Sequence, residues 1–270
     1  MRVGLIQINS QEDRAHNVAR ALELVAQAAR GGAQLVVLPE YVTYLGRAEY
    51  QWDNAEDLGG PSSQAFAAAA HEYGVYLLAG TIPERTATTG KSSNTSQLFD
   101  PHGERIATYR KIHLFDVDVS GAGSYRESDT LVPGDEAVVA PVGETKLGMT
   151  ICYDLRFPEL YRTLALQGAE ILAVPAAFTL FTGRDHWEVL LRARAIENQC
   201  YVIAAAQWGT HPVGRACFGR SMVIDPWGTV IAQAADGEGV VLADLDLARL
   251  RTIRRELPSL ANRRPATYRV

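Results

Sequence analysis

The chain is 270 residues long, 47% hydrophobic and 21% charged, with a net charge of −5, which is enough to bury a sizeable core and leaves no low-complexity tract. That acidic balance argues against the basic face that phosphate binding wants, so no nucleic-acid partner is expected. The three cysteines, Cys152, Cys200 and Cys217, are odd in number and unclustered; with no HExxH or CxxC spacing, they suit a reducing compartment and neither a disulfide framework nor a metal site.

Residues 3–8 (VGLIQI) are an apolar run far too short for a signal h-region or a membrane span, so a cytoplasmic protein without a membrane partner is expected. They read as a buried strand. Residues 13–30 follow as an amphipathic helix with Val18, Ala21, Leu22, Val25 and Ala29 on one face, closed by Gly31-Gly32. Residues 34–38 are a second buried strand ending at Pro39-Glu40. Pro61 opens a second helix that runs to about Tyr73, and Gly74 stops it. Residues 75–81 read as a third strand, and 93–99 with 105–111 as a hairpin around Asp100-Pro101-His102-Gly103. Residues 112–135 read as a long irregular loop of the kind that carries function. Its SGAGSY segment (120–125) lacks the third glycine and the preceding strand of a dinucleotide loop, so no cofactor is expected there. The basic clusters at 249–255 and 263–269 read as a solvated terminal helix and tail.

The second half repeats the first. VGLIQI (3–8) corresponds to LGMTIC (147–152), GGAQLVVLPE (31–40) to QGAEILAVPAA (167–177), YGVYLLAG (73–80) to QCYVIAAA (199–206), and SQLFDPHGERIA (96–107) to SMVIDPWGTVIA (221–232). Matches in the same order imply two homologous α/β layers, each a sheet with helices on one face. Their strands are nearly all apolar, as burial on both faces demands. The expected fold is therefore a four-layer αββα sandwich, with functional groups at the carboxyl ends of the central strands.

Residues 145–160 (TKLGMTICYDLRFPEL) concentrate the chemistry. A buried strand ends at Cys152 and turns sharply into a helix-like run, the arrangement of a nucleophile elbow. A cysteine in an apolar strand is ordinarily a small buried hydrophobe, but this one ends the run and is followed by Asp154, Arg156 and Glu159. A thiol needs a base or a positive charge beside it to become a good nucleophile. Glu40, at the end of the second strand, and Lys111, in TYRKIHLFD, supply both types, although alone each would pass for a solvated carboxylate and an edge-strand lysine.

These residues and their flanks resemble the nitrilase superfamily of carbon–nitrogen hydrolases: a Glu after a buried strand, a Lys in a K-x-H-L-F-type segment and a Cys in a C-Y-D-x-R-F-P-E-type segment, in that order over essentially the whole chain. YRKIHLFDVDV, TGRDHWEVLLRARAIENQCYVIAAAQ and GRSMVIDPWGTVIA are most similar to the Nit amidase branch. The resemblance implies a single αββα domain over residues 1–270 and a cofactor-free amidase for a small-molecule amide. It implies Cys152 as nucleophile forming a thioester, Glu40 as general base and acid, and Lys111 with the Tyr153 backbone N–H as oxyanion donors. Glu127, in YRESDTLVPGD, would position the substrate or Lys111; an ordinary loop glutamate is the plain alternative. Arg156 is placed to pair bidentately with a substrate carboxylate, or else with Asp154 or Glu159. Thr182, Phe178 and His113 are implied around the same acid group.

A cation near the thioester centre selects amides of 2-oxo dicarboxylic acids. The WEVLLRARAIENQCYVIAAAQ and GTHPVGRACFG segments favour deaminated glutathione over 2-oxoglutaramate, the omega-amidase substrate. A true nitrilase, an amidase for carbamoylated amines and, in another class, a catalytically silent ligand-binding protein are the alternatives. The resemblance also implies a homodimer or higher assembly through residues 156–167 and the tail ending TYRV.

Overall fold

The computed structural model describes residues 1–120 and 123–267. The first half runs β1 (Arg2–Gln7), α1 (Arg14–Arg30), β2 (Leu35–Val37), α2 (Pro61–Tyr73), β3 (Tyr76–Leu78), β4 (Ile82–Arg85), β5 (Ser92–Phe99), β6 (Arg105–Arg110), β7 (Asp116–Val119) and β8 (Gly123–Arg126). The second runs β9 (Val138–Val142), β10 (Thr145–Met149), α3 (Pro158–Leu166), β11 (Ile171–Ala173), α4 (Leu180–Asn198), β12 (Tyr201–Ala204), β13 (Trp208–Thr210), β14 (Ala216–Phe218), β15 (Met222–Ile224), β16 (Val230–Gln233), β17 (Gly239–Asp244) and α5 (Leu247–Glu256).

Two mixed sheets result among the described residues. One is seven-stranded, in the order β17-β1-β2-β3-β5-β4 with β6 on β5; the other is six-stranded, β16-β15-β12-β11-β10-β9. β1, β2 and β3 are parallel neighbours, and so are β10, β11 and β12. Each trio is flanked by an antiparallel strand on its first member, β17 on β1 and β9 on β10. The internal repeat is thus visible as topology.

The period-2 geometry of strands sorts the apolar side chains between layers. Val3, Leu5, Leu35, Val37, Leu78 and Leu98 join the second sheet's Leu147, Met149 and Ile171 in one core between the sheets. Ile6, Ile8, Val36, Leu38 and Leu77 face the other way and pack with Ala21, Leu24, Val25 and Ala28 of α1 and Phe66 of α2. Helices α3 and α4 cover the second sheet through Leu160, Leu164, Trp187 and Leu191. Gly4 and Gly148, equivalent in the repeat, sit where helix meets sheet: a Cβ on Gly4 would lie 2.9 Å from Ala28 Cβ, and one on Gly148 3.1 Å from Leu164 Cβ.

Boundaries follow local chemistry. Asp13 caps α1 by accepting the His16 N–H at 3.0 Å. Pro61 starts α2, and Gly74, at φ 61°, ends it in the left-handed conformation. Two expectations are corrected. Residues 112–135 are not wholly irregular, because β7 and β8 pair across them, Val117 opposite Tyr125. Both strands are only four residues long and largely polar, so alternation carried too little signal there. The first basic cluster is also not simply solvated, since Arg254 donates to the Gln199 and Ala169 carbonyls and Arg251 pairs with Glu170, pinning α5 to the second sheet. Of the segments expected at the interface, residues 268–270 lie outside the described residues, as do Gly121 and Ala122 of the SGAGSY segment.

Candidate active site

The carboxyl ends of β2 and β10 bring Glu40 and Cys152 to one place. Cys152 has φ 46° and Tyr41, next to Glu40, has φ 57°. A non-glycine residue in this region costs about 1–3 kcal/mol and persists only when its surroundings over-determine it. At Cys152 they do. Its N–H donates to the Pro175 carbonyl at 2.9 Å. Two residues on, the buried Asp154 carboxylate accepts from Ile151 N–H (2.8 Å), Tyr109 O–H (2.6 Å) and His113 N–H (3.1 Å), and lies 2.7 Å from His113 Nδ1. The short 3₁₀ turn Cys152–Arg156 is therefore tied to β6 and to the segment after it.

The Glu40 carboxylate accepts the Ala177 N–H on Oε2 at 2.8 Å, and both Asn94 Nδ2 (2.8 Å) and Lys111 Nζ (2.9 Å) on Oε1. Lys111 donates also to Glu127, 2.8 Å to Oε2 and 3.1 Å to Oε1. Glu127 in turn accepts Tyr41 O–H at 2.8 Å and Phe115 N–H at 2.8 Å. Lys111 and Glu40 are each only 1% exposed. Burial works against the charge on Lys111, but Glu127 and Glu40 outweigh it and hold the ammonium pKa well above the ordinary lysine value. Burial likewise opposes the charge on Glu127, yet Lys111 and the N–H and O–H donors keep its pKa below the ordinary carboxylate value. The thiol is affected oppositely: burial first, then the Glu40 charge and a hydrogen bond to that carboxylate, push Cys152 well above the usual thiol value, with Lys111 opposing. At neutral pH the group is a thiol beside a base, not a free-standing thiolate.

Above these groups opens a cleft of about 470 Å³, its open mouth included. Cys152, Glu40 and Glu127 reach its surface, Tyr153, Arg156, Phe178 and Thr182 line it, and Lys111 lies buried beneath. Thr182 shares a hydrogen bond of 2.7 Å with Thr179. Arg156 pairs with neither Asp154, whose oxygens are already engaged, nor Glu159. Its guanidinium lies 5.2 Å from the Phe178 ring centroid and 3.3 Å from His186 Nδ1. Among the described residues it has no carboxylate within ion-pair distance.

His113 is the exception to the expected grouping, because it is not in the cleft lining. Its ring bonds Asp154 and stacks on Phe157 at 3.6 Å and 7°, so it braces the turn that carries Cys152. Three residues escape a reading of the sequence: Tyr41 and Asn94, which hold Glu127 and Glu40, and Arg215, which lines the cleft from a loop. The signal for Asn94 is the polar run SSNTSQ of β5, buried throughout; hydroxyls and amides in a buried strand are there to bond something. Among the described residues no three His, Cys, Asp or Glu side chains converge in a metal-ligating group, and no helix is long and apolar enough to cross a membrane.

Comparison with known proteins agrees with this geometry. The carbon-nitrogen hydrolase family pattern matches residues 2–255. A deaminated glutathione amidase from Homo sapiens is 46% identical over 273 residues, covering 98% of this chain and 83% of that one. An omega-amidase from Mus musculus is 41% identical over 269 residues, 100% of this chain and 97% of that one. The C. elegans NitFhit protein superposes with a TM-score of 0.93 at 36% identity, over 99% of this chain and 66% of that one. A Glu-to-Gln mutant of the amidase from Nesterenkonia sp. AN1, in which the acetamide moiety of fluoroacetamide is added covalently at the active-site cysteine, superposes with a TM-score of 0.84 at 26% identity, over 100% and 95% of the two chains. From its sequence, its αββα layers and these relatives together, the chain belongs to the carbon-nitrogen hydrolases of the nitrilase superfamily, as an amidase acting at a cysteine.

Proposed function

We propose that the protein hydrolyses the side-chain amide of deaminated glutathione, a 2-oxoglutaryl unit joined through its amide to Cys-Gly. The observation that carries the substrate is Arg156, a guanidinium without a carboxylate partner in the same cleft as Cys152. Its terminal nitrogens contact His186 Nδ1 at 3.3 and 3.4 Å and no carboxylate, so the acid end of the 2-oxo acyl group can take two parallel hydrogen bonds from its remaining N–H groups. The relative at 46% identity carries that activity in its name, and the omega-amidase at 41% acts on the alternative reading's side.

In the proposed reaction, Cys152 Sγ attacks the amide carbon as its proton passes to Glu40, since the raised thiol pKa leaves no standing thiolate. Lys111 has three N–H donors and spends two directions on Glu40 and Glu127. The third, with the Tyr153 N–H, holds the oxyanion of the tetrahedral intermediate, a contribution on the order of 3 kcal/mol per donor. Protonated Glu40 gives its proton to the departing amine and leaves a thioester. Water then enters, Glu40 takes its proton, and the second tetrahedral intermediate collapses to release the acid and the thiolate, which recovers its proton from Glu40. Tyr41 and Asn94 keep the two carboxylates oriented, and the chain acts as one domain throughout. Assembly of two or more copies through the helices after the nucleophile belongs to the same proposal.

The test is kcat/KM for deaminated glutathione and for 2-oxoglutaramate, each with Arg156→Ala. Losing a charge-assisted pair should cost both substrates about 10- to 100-fold, with deaminated glutathione the better substrate of the unmodified protein. A preference for 2-oxoglutaramate would reverse the assignment, and an unchanged Arg156→Ala would take that residue out of the site.

A further inference from the structure

We infer that Arg215 binds a second carboxylate, on the leaving-group side of the scissile amide, and is thereby the residue that separates deaminated glutathione from 2-oxoglutaramate. The inference deepens the proposed function and rests on it.

Two guanidiniums line the cleft, Arg156 and Arg215, and among the described residues neither has a carboxylate within 4.0 Å. They occupy different parts of it. A neighbouring groove of about 1100 Å³, its open side included, shares Tyr41, Tyr125, Glu127 and Arg215 with the cleft, whereas Arg156 and Cys152 belong to the cleft alone. Arg215 therefore stands where the cleft runs out into the groove. It follows Gly214, at φ 73°, and its guanidinium lies 5.6 Å from the Tyr125 ring centroid, a contact that orients a planar cation and leaves its N–H edge for an acid.

The groove beyond Arg215 is lined by Asp129 and by Arg126, whose guanidinium is already paired with Asp118, and Glu127 is held by Lys111, so among the described residues Arg215 is the groove's guanidinium without a carboxylate partner.

Substrate chemistry matches this layout. Deaminated glutathione carries one carboxylate on its acyl half and one on its glycine, with the scissile amide between them. 2-Oxoglutaramate shares the first, and its leaving group is ammonia. With the acyl carboxylate on Arg156 and the amide carbon at Cys152, only the larger substrate can extend to Arg215.

The experiment compares kcat/KM for deaminated glutathione and for its analogue with a carboxamide in place of the glycine carboxylate. It uses the unmodified protein, Arg215→Ala and Arg215→Lys. The unmodified protein should prefer the free acid by about tenfold or more, the size of one charge-assisted contact. Arg215→Ala should bring that ratio near one, mainly through KM, and Arg215→Lys should keep part of it, because the charge remains while the fork is lost. The carboxamide rate reports folding in each variant. Loss of both rates together in Arg215→Ala and Arg215→Lys, or a preference that survives Arg215→Ala, would overturn the inference and leave the proposed function standing. Failure of the unmodified protein to hydrolyse either compound would remove both.

Discussion

The Cys152 thiol and the Glu40 carboxylate are each other's environment, and this makes a counter-intuitive variant informative. Glu40 raises the thiol pKa while serving as its base. In Glu40→Gln the anion is gone and the Lys111 ammonium remains, so the thiol should ionise more easily while hydrolysis falls by about 100-fold or more. The measurement is the pH dependence of Cys152 alkylation by iodoacetamide. In the unmodified protein the rate should still be rising above the ordinary thiol value of 9.0; in Glu40→Gln it should level off at lower pH. A shift to higher pH would mean that Glu40 does not face the thiol. Glu40 and Cys152 could be picked from the sequence because each ends an apolar strand and interrupts its pattern. Lys111 and Glu127 needed the family resemblance, since nothing in YRKIH or YRESD shows that they meet. Arg215 could not be picked at all, because a loop arginine has no periodicity to place it and its neighbours come from residues 41 and 125–127.

At the scale of elements, the repeat-related glycines carry the sheet-to-helix contact. Gly148→Ala would set a methyl 3.0 Å from Leu172 Cδ2 and 3.1 Å from Leu164 Cβ, and Gly4→Ala one 2.9 Å from Ala28 Cβ. Overpacking of this kind costs roughly 1–3 kcal/mol. Chemical denaturation should show both variants destabilised by comparable amounts, with kcat near normal where the fold is retained, because neither glycine touches the cleft. A neutral substitution at either position would show that the helix layer has slack there. The elements that could be read were those with chemical punctuation, such as α2 between Pro61 and Gly74. The β7–β8 pair had none: β7 alternates exposed and half-buried residues, β8 is exposed except for a half-buried Tyr125, and the pairing is fixed by its partner strand more than by either sequence.

The whole molecule explains why a duplicated fold has a single unsymmetrical site. Glu40, Lys111 and Glu127 come from the first half, and Cys152, Arg156 and Arg215 from the second, so the halves are alike in topology and divided in chemistry. The repeat and the αββα layering were legible because burial on both faces writes an unbroken apolar run into each central strand. Assembly is written less plainly. Phe181, Val189 and Ile196, eight and seven residues apart on one side of α4, are 52%, 65% and 50% exposed, an apolar stripe suited to contact with another subunit. Sedimentation should find a dimer or larger species at micromolar concentration, and Val189→Glu with Ile196→Glu should lower its mass toward one chain. A monomer in the unmodified protein would contradict the proposed assembly.

The central claim is that Cys152 takes the 2-oxoglutaryl group from the amide. The most direct measurement is the mass of the protein after acid quenching during turnover, with deaminated glutathione and with 2-oxoglutaramate, followed by mapping of the modified peptide. The two substrates share their acyl half, so both should leave one adduct of the same mass on the peptide containing Cys152, and Cys152→Ala should give neither adduct nor hydrolysis. Adducts of different mass, an adduct on Cys200 or Cys217, or hydrolysis undiminished in Cys152→Ala would contradict the account.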